Sequence, residues 1–157
     1  MRAWHRKAIK DGLKAALPFQ EALRRLKRRV FPYTTDASND LGLLEDILRQ
    51  MEILIEARVA IDCAMVVEIG TGWNPLLPLI FSHYGAEVIT VDQERLLDVH
   101  TLKSAIAMLS AHSARIVERL ARHGLSPRRA WPTMEGALND LLAPLHLDYR
   151  APFDFND

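Results

Sequence analysis

Glu68, Gly70, Gly72 and Asp92 are the residues of this chain whose types and spacing suggest chemistry. They lie in the stretch Met65 to Asp92, MVVEIGTGWNPLLPLIFSHYGAEVITVD. A Gly-x-Gly turn can bend sharply and let bare backbone approach a ligand. A carboxylate before the turn favours a cationic group beside it. A carboxylate at a strand tip can accept both hydroxyl hydrogens of a ribose. A ligand with a cationic end and a sugar would suit such a pair.

The local elements are built to position these groups. Met65-Val66-Val67 followed by Glu68-Ile69 is short, apolar and β-branched, which favours a buried strand. Gly70-Thr71-Gly72 forms the turn. Asn74 is suited to cap a helix, and Pro75 to its first position, where no amide bond is lost. The spacing predicts a short apolar helix from Leu76 to Tyr84, stopped by Gly85. Glu87 to Val91 reads as a second strand with Asp92 at its carboxyl end. The result is a βαβ unit whose ligand side is at the strand tips.

Two nucleotide-type ligands fit such a unit. A dinucleotide would bring an anionic pyrophosphate close to Glu68, and the third glycine of its GxGxxG fingerprint falls here on Pro75. S-adenosylmethionine carries a sulfonium, an ammonium and a carboxylate, so it tolerates an acid there. At Glu68-Ile69-Gly70-Thr71-Gly72 and Asp92 the sequence resembles the class I S-adenosylmethionine-dependent methyltransferases, with Asn74 in place of their third glycine. Adding Trp73 and the proline-containing apolar helix, it resembles the type-11-like branch, whose acceptors are small molecules.

The resemblance implies cofactor-binding roles. Glu68 would face the ammonium end, directly or through water. Gly70, Thr71 and Gly72 would form the turn against the methionine moiety. Helix-start amides near Asn74 would face its carboxylate, Trp73 would wall the pocket, and Asp92 would bind the ribose. Gln93 stands where many members carry an apolar residue on the adenine, with Leu96 as a substitute. Asp154 would contact the adenine amino group. No catalytic base is named by the sequence, because the family's acceptor-side residues usually follow a fourth strand. The six histidines show no metal-ligand spacing, and no nucleophile triad, CxxC or P-loop occurs.

At 157 residues, with 49% hydrophobic and 25% charged residues, the chain has material for one soluble globular domain. Zero formal net charge gives no case for nucleic acid. The lone Cys63 excludes an internal disulfide, suits a reducing cytosol, and reads as a small buried hydrophobe beside the first strand. Neither a membrane span nor a signal peptide is visible. A cytoplasmic protein is the expectation.

The first thirty residues carry ten Lys and Arg against Asp11 and Glu21. Leu23, Leu26 and Val30 form an apolar stripe among them. A helix packed on the domain is favoured over contact with an anionic membrane or acidic partner. Asn39 or Asp40 is placed to cap a helix whose stripe runs from Leu44 to Ile55. Leu102 to Leu120 reads as one long amphipathic helix closed by Gly124. Thr133 is placed to cap a helix over Met134 to Leu142, ended by Pro144. Leu145 to Tyr149 is the expected third strand.

The expected fold is α/β: a partial Rossmann-like parallel sheet of three strands with an amino-terminal helical extension. Residues 1–60 form the extension and 61–157 the amino-terminal half of the binding domain. The resembled family's larger sheet would place the first strand centrally, so its outer edge should be uncovered here. The sequence therefore reads as part of a longer enzyme, with the missing carboxyl-terminal half as a partner beside the methyl acceptor. An NAD(P)-dependent oxidoreductase fragment and a non-catalytic βαβ interaction module stay open as alternatives.

Overall fold

The computed structural model describes residues 37–152. The basic amino-terminal segment and Asp154 lie outside them. The unit is α/β, with a parallel sheet in the order β1-β2-β3. β1 is Met65–Ile69, β2 is Glu87–Val91 and β3 is Leu147–Arg150. The helices are α1 (Ala37–Glu56), α2 (Leu76–His83), α3 (Val99–Ala111), α4 (Ser113–Ala121) and α5 (Leu138–Leu142). Short 3-10 turns span Ile61–Cys63 and Ala143–Leu145. The compact unit begins at Ala37, not at residue 61, so α1 folds with the sheet.

α2 is central because it is apolar on nearly every side. Leu76, Pro78, Leu79, Ile80 and Phe81 are all buried, as expected of a helix covered on several faces. It packs on all three strands, on α1 and on α3. α1 supplies Leu44, Ile47, Leu48 and Met51 to the same core. Its outward acids pair with α4: Arg119 bonds Glu52 at 2.6 and 2.7 Å and Glu45 at 2.7 Å.

The carboxyl end of α2 is held by the segment after α4. Gly85 has φ +108, and a Cβ there would meet Asp62 Cα at 3.0 Å. The Arg129 guanidinium donates to the carbonyls of Ser82 and Ala86 at 2.6 Å and of Gly85 at 3.2 Å. A cation bonded to the last carbonyls complements the helix dipole. Trp131 stacks on His83 with centroids 4.0 Å apart.

Several element boundaries differ from the sequence expectation. α1 starts at Ala37, so Asn39 and Asp40 lie inside the helix instead of capping it. The single long helix is two, broken at His112, where φ −101 and ψ 8 leave helical geometry. The helix expected from Met134 begins only at Leu138, because Gly136 adopts φ +98, against which the Asp140 side chain packs. β3 begins two residues late, after His146 at φ +50. Cys63 is exposed, not buried, since the neighbouring Ile61 takes the inward position of that turn.

The two sheet edges differ. β3 places the paired charges Asp148 and Arg150 on its exposed face. β1 exposes Met65, Val67 and Ile69 at 69%, 59% and 70%. Among the described residues, the outer edge of β1 pairs with no other strand. Charged residues are a usual protection of an edge; an apolar row is not.

Candidate functional site

The parallel register brings the tips of β1 and β2 side by side, with Glu68 opposite Thr90 and Ile69 opposite Val91. The Gly70 amide continues the ladder by donating to Val91 O at 2.8 Å. The chain then turns through Gly70 at φ +83 and Gly72 at φ +61. Left-handed backbone of this kind favours glycine. A Cβ on Gly70 would meet nothing within 4 Å, and one on Gly72 only Gly70 O at 3.8 Å, so the turn is open above its backbone.

Both carboxylates face this turn. The Thr71 hydroxyl donates to Glu68. The Gly72 amide donates to both oxygens of Asp92, at 3.2 and 3.1 Å. Asp92 is only 4% exposed and Thr71 6%. Burial pushes the Glu68 carboxyl above its ordinary range; the Thr71 hydrogen bond opposes that rise and the Asp92 charge adds to it. Two acids that repel across a turn suit a cationic group between them.

Asn74 accepts the Leu76 amide through its side-chain oxygen at 3.2 Å, from one residue before the N-cap position, which Pro75 takes instead of Asn74. Pro75 stands at the boundary position, its carbonyl taking the Leu79 amide at 3.1 Å. The Asn74 amide itself donates to Thr71 O at 3.3 Å. The amides of Asn74 and Leu76 are thus engaged within the chain. Trp73 is half-buried beside the turn, while Gln93 is exposed past β2.

Tyr149 belongs to no sequence motif, yet it stands beside the site. It occupies the next rung from Glu68 and Thr90, on β3. Its hydroxyl accepts the Leu96 amide at 2.9 Å and the Leu97 amide at 3.2 Å. Burial pushes its phenol above the ordinary value, with the Asp92 charge adding to the rise. Two amides donating to the oxygen act against that shift. Only the alternation of β3 could have suggested it. Thr90 between them is fully buried, with its hydroxyl unpartnered.

A hollow of about 250 Å³ lies elsewhere, lined by Met65, Glu87, Val88, Ile89, His146 and Asp148 at the amino ends of the strands. It is remote from the glycine turn and shares none of its groups. Among the described residues no group of three or more His, Cys, Asp or Glu could hold a metal, and no helix is long and apolar enough to cross a membrane. No protein-family model matches the chain, and no curated protein or solved structure matches it.

Proposed function

We propose that the turn between β1 and β2 binds S-adenosylmethionine and that the chain is the cofactor-binding portion of a methyltransferase with a small-molecule acceptor. On this reading the three-stranded parallel sheet is part of a Rossmann-like domain. The observation that carries it is the convergence of Glu68 and Asp92 on one open glycine turn. A cationic amino-acid end beside Glu68 would relieve the repulsion between the two acids. An anionic pyrophosphate would add to it, which disfavours the dinucleotide alternative.

When bound, the cofactor supplies a methyl group activated by its positive sulfur. The chain's own residues bind and orient. Glu68 receives the ammonium, held in place by Thr71. Gly70 and Gly72 keep side chains out of the approach to the backbone. Asp92 accepts the ribose hydroxyls, and its burial strengthens those bonds by excluding water. Trp73 and Leu96 flank the site, one on the turn and the other on the segment after β2.

Titration calorimetry with S-adenosylhomocysteine and, separately, with NAD tests this. Binding of the thioether ligand is expected, weakened ten- to a hundredfold by Asp92→Asn, as for loss of a hydrogen-bonded charge worth about 1.5–3 kcal/mol. Binding of NAD alone would replace the proposal with the oxidoreductase reading. A folded sample that binds neither would favour the interaction module, for which the exposed row Met65, Val67 and Ile69 is the relevant surface.

A further inference from the structure

We propose that Tyr149 is the positioning residue of this site: it ties the segment after β2 to β3 and donates its phenolic proton to Asp92, fixing the carboxylate toward the ligand's sugar hydroxyls. The inference rests on the proposed ligand class and adds a residue that the motif does not contain.

The geometry is one of hydrogen-bond capacity. A phenol oxygen has two lone pairs and one proton. The Leu96 and Leu97 amides, at 2.9 and 3.2 Å, occupy the acceptor side. The proton is left for an acceptor. Tyr149 pairs with Thr90, and Asp92 follows Thr90 by two residues, so the carboxylate stands on the face of the sheet that Tyr149 occupies. The backbone enforces this meeting. The Asp92 amide donates to Arg150 O at 3.0 Å, one residue beyond Tyr149. Arg95 adds a second tie between the same segments, donating to Ala151 O at 3.3 Å.

Asp92 otherwise receives the Gly72 amide through both oxygens, at distances near the long end of the normal range. A phenol fixed by two amides supplies a rigid third point, and it also fixes Leu96, the apolar neighbour expected at the adenine. Side chains that lock a binding group in its working orientation typically stand one layer behind it.

The experiment is a double-mutant cycle of Tyr149→Phe and Asp92→Asn, read by calorimetry with S-adenosylhomocysteine. Tyr149→Phe is expected to weaken binding about tenfold in the wild-type background, as for one charge-assisted hydrogen bond. In the Asp92→Asn background the loss should shrink to about twofold or less. Equal losses in both backgrounds would mean that Tyr149 acts by packing alone and would overturn the inference, as would unchanged affinity in Tyr149→Phe. A wild-type protein that does not bind the ligand defeats the ligand reading itself, and the positioning role with it.

A ligand-free measurement keeps the test open should Tyr149→Phe fail to fold. In protein carrying carbon-labelled tyrosine, the Tyr149 phenol should ionise at lower pH in Asp92→Asn than in the wild type, because the neighbouring negative charge is gone. An unmoved Tyr149 titration would overturn the contact whether or not any ligand binds.

Discussion

Glu68 is held in the folded chain at a cost that a ligand could remove. Its burial, with the Asp92 charge adding to it, raises its carboxyl above the value it has when unfolded. A group raised in this way contributes stability that is full below its unfolded value and is lost as pH rises through its folded one. Glu68→Gln keeps an acceptor for the Thr71 hydroxyl and never ionises. Its thermal midpoint should exceed that of the wild type at neutral pH, and the gain should vanish below about pH 4, near the ordinary glutamate value. The same substitution should weaken S-adenosylhomocysteine, so stability and binding move in opposite directions. A variant less stable than the wild type at neutral pH would show that Glu68 is favourably paired as it stands. The motif residues were legible in the sequence because glycine and carboxylate have few equivalents in such a turn. Tyr149 was not, since a strand tyrosine has a common bland role in packing and its partners, Leu96 and Leu97, lie far back in the chain.

Among the elements, α2 decides where the turn sits. Its amino end is tied to Asn74 beside the site through the Leu76 amide, and its carboxyl end is clasped by Arg129. Removing that clasp with Arg129→Ala should lower unfolding stability by about 1–3 kcal/mol, the usual range for hydrogen bonds made by a charged group. Urea denaturation would measure it. An unchanged midpoint would mean that the stacking of Trp131 on His83 holds this end without the guanidinium. Strands β1 and β2 and the helix between them could be read from the sequence because period and glycine stop agree there. The later helices were misjudged where one residue overrides a pattern. His112 interrupts an apolar stripe that runs on through Ile116 and Leu120, and Gly136 removes the first turn of the helix assigned to Thr133.

At the scale of the whole unit, the uncovered row on β1 is the main liability. Met65, Val67 and Ile69 lie on one face of an edge strand with no charge among them. Exposed apolar edges promote association between chains. Val67→Lys should reduce self-association of the 157-residue chain in light scattering without lowering its thermal midpoint. If the variant unfolds earlier, Val67 is doing packing work that its 59% exposure does not suggest. The resemblance implied this uncovered edge through its strand order, whereas nothing in it indicated how β3 guards the opposite edge with Asp148 and Arg150, since Arg150 lay beyond the expected strand.

The pairing of Val88 with Leu147 spans α3, α4 and α5, whereas that of Met65 with Glu87 spans only α2. Closing the longer loop costs more chain entropy, so β3 is expected to dock last and to detach first. The Asp92 amide, which bonds to Arg150 O, belongs to that weaker seam. In deuterated solvent it should lose its proton sooner than the Gly70 amide, whose partner is Val91. A ligand that needs Tyr149 in place should slow the loss at Asp92 more than at Gly70, making occupancy visible as mended backbone on the far side of the sheet.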